Sequence, residues 1–298
     1  MDKLTALRVF RRVVELNGFV RAADDMSLSK AAVSKNVREL ETALGTALLT
    51  RTTRSLSLTD AGARYFQQCC RILDSLEEAD LEASATGSGM RGRLRITAPM
   101  SLGLECLTQR LIRFQDRYPG LALDLVLSDQ SLDLVDGGYD LALRGSGGLR
   151  DSSLKARRLC QLDRVLCAAP SYLETTPAIT HPQDLKAQDC LIFSYAASPA
   201  IWQFERGGAR EDVNVTGRLA INNSIALRTA VLAGRGVVLI PRFLVRSELA
   251  EGKLTALLPD WSAATQAVYA VYPDHRESSP KVRALIDFLV QDFAERPL

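Results

Sequence analysis

The sequence predicts an α/β protein with an all-α-dominated winged helix-turn-helix at its head, a long linker helix and a C-terminal α/β domain. Three observations carry that prediction. Residues 1–58 hold three short amphipathic helical patterns followed by two short β segments with a basic tip, and residues 60–85 hold one apolar stripe in steps of four and three. From Arg93 onward, apolar strands alternate with helices.

Leu4, Leu7, Phe10, Val13 and Val14 share one face of a first helix that stops before Asn17-Gly18. Phe19 to Met26 reads as a short second helix, with Ala22-Ala23 small enough for a close crossing, and Ser27-Leu28 as a tight turn. Between Ser29 and Leu44 the apolar positions Ala32, Val33, Val37, Leu40 and Leu44 recur three to four apart, while Lys30, Ser34, Lys35 and Arg38 fill the other face. Ser29 is the expected N-cap and Gly45 the left-handed stop. Two short helices across a tight turn, the second basic outside, describe a helix-turn-helix whose second member enters the major groove. Ala47-Leu48-Leu49 and Ser55 to Leu58 then flank Arg51 and Arg54, which places two cations on a wing.

A polar helix face is most often only a solvated face. Here charge is concentrated: residues 1–58 carry ten Lys/Arg against six Asp/Glu, so a head of +4 is hidden inside a chain of +2. A local cationic surface is what phosphate attraction and counterion release require. Ser29, Lys30, Ser34, Lys35, Arg38, Arg51 and Arg54 are therefore the expected DNA contacts, with the helix residues near base edges and the wing arginines on the backbone or in the minor groove.

The run Phe10, Gly18-Phe19, Ala22-Ala23, Ser29, Val33-Ser34-Lys35, Val37, Leu40-Glu41, Leu44-Gly45, Leu48, Arg51, Arg54, Leu58-Thr59 and Ala61-Gly62 resembles the N-terminal domain of LysR-type transcriptional regulators in register over some sixty residues. Gly18 and Val20 depart from the pattern, standing where many members carry hydroxyl residues, which weakens the cap of the second helix.

Thr59 is placed to cap a helix from about Asp60 to Ala85, in which Tyr65, Cys69, Ile72, Leu76, Ala79 and Ala83 form the stripe. Such a stripe is either a core face or a coiled-coil seam; dimerisation is the favoured reading, and the resemblance implies the same. Residues 86–92 read as a hinge by their Gly and Ser content. The expected organisation is a winged helix-turn-helix over 1–58, a linker helix and hinge over 59–91, and an effector-binding domain over 92–298. The resemblance implies two subdomains in a periplasmic-binding-protein-like clamshell, about 92–161 with 268–298 and about 162–267, crossing near Gln161–Arg164 and Thr265–Val268.

Ligands of open α/β sheets sit beyond the carboxyl ends of the strands. Pro99, Met100, Ser101 and Leu102 follow the first strand of this domain, Ser128-Asp129 the second, and Asn222, Asn223 a later one. Each can equally cap its own helix. Arg144 ends the strand Leu141-Ala142-Leu143, where a guanidinium can grip a ligand carboxylate or pair with Asp140. Phe193, Ser194 and Trp202 are the candidate apolar wall, and a small organic or aromatic acid is the effector class consistent with the family.

Other classes find little support. No run reaches the ~18 apolar residues of a membrane span, and Met1-Asp2-Lys3-Leu4 opens an amphipathic helix rather than an export signal, so a cytoplasmic protein is expected. Six cysteines lack a CxxC pair and have only two histidines beside them, so buried thiols are expected over a metal site, with a redox pair as the alternative. Gly145 to Gly148 fits neither a phosphate loop nor a nucleophile elbow, and His181 and His275 have no partner at motif spacing. Neither a cofactor nor an enzymatic activity is expected. The expected partners are double-stranded DNA bearing an interrupted inverted repeat, a small-molecule effector, a second copy joined through the linker helix, and two more in a homotetramer, with RNA polymerase a further candidate. The rival reading is a cytosolic solute-binding sensor whose head makes protein contacts only.

Overall fold

The computed structural model describes residues 2–51, 56–83, 90–130, 132–134, 137–145, 154–277 and 279–298. The chain divides into two units, Met1–Gly89 and Met90–Leu134 with Tyr139–Leu298. Arg54, the predicted hinge residues 86–89 and the Gly-rich loop from Ser146 lie outside the described residues.

In the first unit, α1 (Lys3–Glu15), α2 (Phe19–Asp25) and α3 (Lys30–Leu44) precede the two-stranded antiparallel wing of β1 (Leu49–Arg51) and β2 (Leu56–Leu58). Asp2 caps α1 by accepting from the Leu4 amide at 3.2 Å. The buried core draws Ala6, Leu7, Val9, Phe10 and Val13 from α1, Ala22-Ala23 from α2, and Val33, Val37 and Leu40 from α3. Leu4, placed on this stripe by spacing, is instead 41% exposed, because the buried face of α1 turns toward Ala6 and Val9. Asn17 and Ser27 take left-handed conformations between the helices (φ 47° and 54°), a geometry that short polar side chains tolerate in tight turns.

The linker helix α4 (Asp60–Ala83) begins where the wing ends. Thr59 Oγ1 donates to the Ala47 carbonyl at 2.8 Å and accepts from the Gly62 amide at 2.9 Å, so one hydroxyl caps the helix and ties it to the wing. The expectation that Tyr65 and Cys69 belong to a dimer seam is corrected. Their side of α4 packs on α1, with the Tyr65 and Phe66 rings 6.0 and 6.1 Å from Phe10 and Cys69 Sγ 3.3 Å from the Leu7 carbonyl. The head is too small to leave that apolar surface unused. Ile72, one turn later, is 52% exposed and remains available to a partner.

The second unit holds two five-stranded sheets. One has order β4-β3-β5-β15-β6, built from β3 (Gly92–Ala98), β4 (Leu121–Leu127), β5 (Leu141–Gly145), β6 (Leu154–Leu162) and β15 (Gln266–Pro273). The other has order β11-β8-β12-β7-β13, built from β7 (Arg164–Ala168), β8 (Cys190–Phe193), β11 (Leu219–Ile221), β12 (Val237–Pro241) and β13 (Thr255–Ala256). In each sheet four strands run one way. The reversed strands are β15, antiparallel to β5 and β6, and β7, antiparallel to β12 and β13. Both follow directly on a crossing between subdomains, so each enters its sheet from the far side. Arg164 ties the crossings together: it opens β7, and its guanidinium donates to the Ala264 carbonyl at 3.3 Å.

A smaller sheet of β9 (Ile201–Arg206), β10 (Ala209–Asn214) and β14 (Ser262–Ala263) flanks the second subdomain and has no counterpart in the sequence prediction. Helices cover the sheets. In the first subdomain α5 (Met100–Leu102), a π turn (Gly103–Leu107) and α6 (Thr108–Arg117) run on continuously and share a core with α10 (Pro280–Glu295). In the second, α7 (Pro170–Leu173), α8 (Ser224–Leu232) and α9 (Arg246–Ala250) play that part.

Candidate DNA-reading head and effector cleft

Helix α3 is bounded as its sequence requires. Ser29 Oγ accepts from the Ala32 amide at 3.1 Å, and Gly45 closes the helix at φ 65°, its own amide and that of Thr46 donating to the Thr42 and Glu41 carbonyls. Glu41 Oε1 accepts from the Leu48 and Leu49 amides at 2.9 and 3.1 Å, which fixes the wing against the end of α3.

With Val33, Val37 and Leu40 buried, Ser29, Lys30, Lys35 and Arg38 are exposed on α3 and Ser34 is half-buried. Lys35 is 75% exposed at the side chain, with Glu39 3.9 Å away, a loose pair that a phosphate can replace. By contrast, Arg11 and Arg12 of α1 are spent on Glu15, and Arg12 also on Asp25. Lys30, Lys35 and Arg38 of α3 are not spent in this way on α1 or α2, and Arg51 ends β1 in the wing. Gly18 precedes α2 without a side-chain cap, the consequence its sequence implies.

In the second unit, the carboxyl ends of β3, β4, β8 and β11 bring Pro99-Met100, Ser128, Phe193-Ser194 and Asn222-Asn223 to one cleft between the subdomains. The Met100 amide donates to Asp129 Oδ1 at 3.0 Å, and Asn223 Nδ2 donates to Asp129 Oδ2 at 2.7 Å. Asn223 also caps α8, its Oδ1 accepting from the Ile225 and Ala226 amides. Ser128 Oγ accepts from the Gln130 amide at 3.2 Å, closing its own turn. Gln130 Nε2 reaches the Tyr195 hydroxyl at 3.4 Å. Hydrogen bonds from Asn222 first and Gln130 second hold that hydroxyl below the ordinary tyrosine range.

Asp140 is not the partner of Arg144. It pairs with Arg276 at 3.0 Å, both buried, and its other oxygen accepts from the Arg95 amide. Among the described residues, Arg144 Nη1 donates to the Leu143 carbonyl alone, and Nη2 is buried without a hydrogen-bond partner. Burial lowers the pKa of this guanidinium, and Tyr139 and Asp129 partly oppose that.

Three residues expected at the cleft are corrected. Trp202 is buried in the core of the second subdomain with Phe204, Val213 and Val215, since alternation along β9 points it inward. Leu102 lies in the core of the first subdomain, on the face of α5 turned to the sheet, and Ser101 beside it is also buried. Phe193 stays at the cleft rim, its ring 6.4 Å from Tyr195 in an edge contact. Asp129, singled out with Ser128 at the end of its strand, supplies polar contacts across the cleft together with Gln130 and Tyr195, which were not singled out. Tyr195 directly follows Phe193-Ser194 and was legible as a strand end; the pairing of Gln130 with it was not. A separate groove of about 390 Å³, lined by Tyr172, Asp189, Leu191, Arg218 and Arg235, opens at the amino ends of β8 and β11, away from this cleft.

Burial pushes the thiols of Cys106 and Cys160 up to about 11, and those of Cys167 and Cys190 to about 12. They are protonated, poor nucleophiles at neutral pH. Among the described residues no cluster of His, Cys, Asp or Glu is arranged to hold a metal ion, and no helix is long and apolar enough to cross a membrane.

A winged helix-turn-helix that exposes a capped basic helix, joined through a long helix to a two-subdomain α/β clamshell, defines a bacterial one-component regulator architecture. The family models agree with it: residues 4–63 match the bacterial regulatory helix-turn-helix protein of the lysR family, and residues 87–294 match the LysR substrate binding domain. The chain belongs to the LysR family of transcriptional regulators. It is 38% identical over 294 residues to the HTH-type transcriptional regulator PtxR of Pseudomonas aeruginosa, covering 99% of this chain and 94% of that one. Among solved structures it resembles CrgA of Neisseria meningitidis (TM-score 0.61, 34% identity, 98% of each chain) and full-length AphB of Vibrio cholerae (TM-score 0.59, 30% identity, 97% of this chain and 98% of that one).

Proposed function

We propose that this chain is a cytoplasmic DNA-binding transcriptional regulator, without enzymatic activity, whose operator binding is modulated by an organic or aromatic acid in the C-terminal cleft. The observation that carries the DNA half is α3: capped at Ser29, stopped at Gly45, and exposing Lys30, Lys35 and Arg38 opposite a fully buried apolar face. Arg51 and Arg54 anchor the wing on the phosphate backbone. The ligand half rests on Arg144, a half-buried cation at the cleft whose Nη2 is buried with no hydrogen-bond partner among the described residues. A carboxylate supplies the bidentate partner that the protein withholds.

The chain acts as a homodimer through the later turns of α4, where Ile72 is exposed, and as a homotetramer of such dimers on an interrupted inverted repeat. Contact with RNA polymerase follows on bound promoter DNA. The test is fluorescence anisotropy with the chain's own upstream DNA against random duplex over a salt series. Preferential binding that weakens steeply with salt is expected, and Lys35→Ala lowers the salt slope by about one per subunit engaged. Equal affinity for both duplexes overturns the regulator reading.

A further inference from the structure

Among the described residues, Asp129 is the one side chain that touches both walls of the cleft in a charge-assisted bond. It sits after β4 in the first subdomain, where its Oδ1 accepts from the Met100 amide, while its Oδ2 accepts from Asn223 in the second subdomain at 2.7 Å. Bonds with an ionised acceptor are stronger than neutral ones, and this one lies at the short end of the range for an amide donor. A second, longer bridge from Gln130 to Tyr195 lies beside it, and Tyr195 is in turn bonded to Asn222. The polar ends of three strands are thereby drawn together by groups of the chain itself, and Asp129 is the anionic centre of the set.

We propose that Asp129 is a built-in latch, a carboxylate of the chain that clasps Asn223 and holds the two subdomains together across the cleft. Asn223 is fitted to receive it because its two ends do separate work: Oδ1 caps α8 and Nδ2 faces the carboxylate. If the regulator reading above holds, an acid that pairs with Arg144 brings a second negative charge against Asp129. Like charges oppose one another, so ligand occupancy and a closed latch work against each other. The latch itself needs neither ligand nor DNA.

The pair can be reversed without changing its shape. In the Asn223→Asp variant an Asp side chain still caps α8, since Asp and Asn are equivalent caps, but a carboxylate now faces a carboxylate. Combining it with Asp129→Asn restores the bond with donor and acceptor exchanged, because the new amide oxygen still accepts from Met100 and its nitrogen donates to the new carboxylate. The readout is hydrogen–deuterium exchange of the ligand-free full chain in peptides spanning 192–196 and 220–228. Asn223→Asp alone should speed exchange there on the order of tenfold, the effect of losing a charge-assisted bond. The double variant should return to within about twofold of the parent chain. Unchanged exchange in the single variant overturns the latch, as does a double variant that exchanges as fast as the single. Loss of operator preference with this pattern intact would overturn the regulator reading and leave the latch standing.

Discussion

Replacing Gly62 with Ala inverts an ordinary rule of helix stability. In a helix interior Gly→Ala normally stabilises by about 1 kcal/mol. At Gly62, in the first turn of α4, an added Cβ would lie 1.9 Å from the Leu48 carbonyl oxygen and 2.8 Å from its carbon, both backbone atoms of the residue just before β1. The carbonyl must move by more than an ångström, yet it accepts from the Thr59 amide at 3.0 Å and the Thr59 hydroxyl at 3.3 Å. Overpacking costs about 1–3 kcal/mol, and a buried acceptor left unpaired about 1–3 more. Set against the helix gain, the net is about 3 kcal/mol of destabilisation, roughly 10–20 °C in a domain of this size. Gly45→Ala is the internal control: nothing lies within 4 Å of its Cβ position, and the left-handed φ of 65° is its only penalty, about 1 kcal/mol. Both tryptophans, Trp202 and Trp261, lie in the C-terminal unit, so tryptophan fluorescence does not report on the head. Hydrogen exchange of α1 and α3 amides on heating does. A Gly62→Ala head that melts with or above the parent, or a Gly45→Ala head that melts as low as the Gly62→Ala head, refutes this packing account.

Two further outcomes concern the C-terminal unit, where tryptophan fluorescence is the right probe. Asp292 is buried beneath Arg110, Arg113 and Arg296, at 3.0, 2.8 and 2.8 Å; burial alone would raise its pKa, and the three guanidinium groups outweigh it, so the carboxyl is held below the usual range. Asp292→Asn strands the buried Arg110 and should cost about 3–5 kcal/mol in urea unfolding at pH 7. A depressed carboxyl stabilises above its unfolded value near 4 and loses that contribution as pH falls through the folded value, so parent and variant should converge in acid; a gap unchanged at pH 3 rejects the assignment. Arg144→Met removes a buried donor that has no partner, and should raise the melting midpoint by a few degrees, for about 1 kcal/mol. A lower midpoint would mean that the guanidinium is satisfied.

The head was readable because its signals are local. Ser29 and Gly45 bound α3 through contacts within four residues, and the buried set Val33, Val37, Leu40 follows from period alone. The stripe of α4 was misassigned in part, since period shows which residues share a face and not what covers it; Tyr65 and Cys69 are covered by α1, some sixty positions earlier. In the clamshell the strands and their carboxyl ends were legible, and with them the place of the cleft. The β9–β10 hairpin was not, because Ala209-Arg210-Glu211-Asp212 is a solvated, charged strand with little apolar alternation. Trp202 misled for a related reason: a lone aromatic looks the same in sequence whether its strand turns it to a cleft or to a core.

The arginines show where residue type stops being informative and pairing begins. Arg110 and Arg113 share Asp292, Arg228 is held by Glu248, and Arg276 is buried against Asp140. Each of these cations is thereby given a carboxylate, as the cost of desolvation demands. Arg164 and Arg144 break that rule and are the two whose pKa burial lowers. Arg164 has a structural use, reaching from one crossing between subdomains to the carbonyl of Ala264 at the other. Arg144 has none of that kind: its one bond is to the carbonyl of the preceding residue, its free nitrogen is buried, and Asp129, the carboxylate in electrostatic reach, is engaged by Met100 and Asn223. On the reading proposed above, a fold that gives Arg110, Arg113, Arg228 and Arg276 carboxylates and Arg164 a carbonyl leaves Arg144 for an anion that arrives from outside.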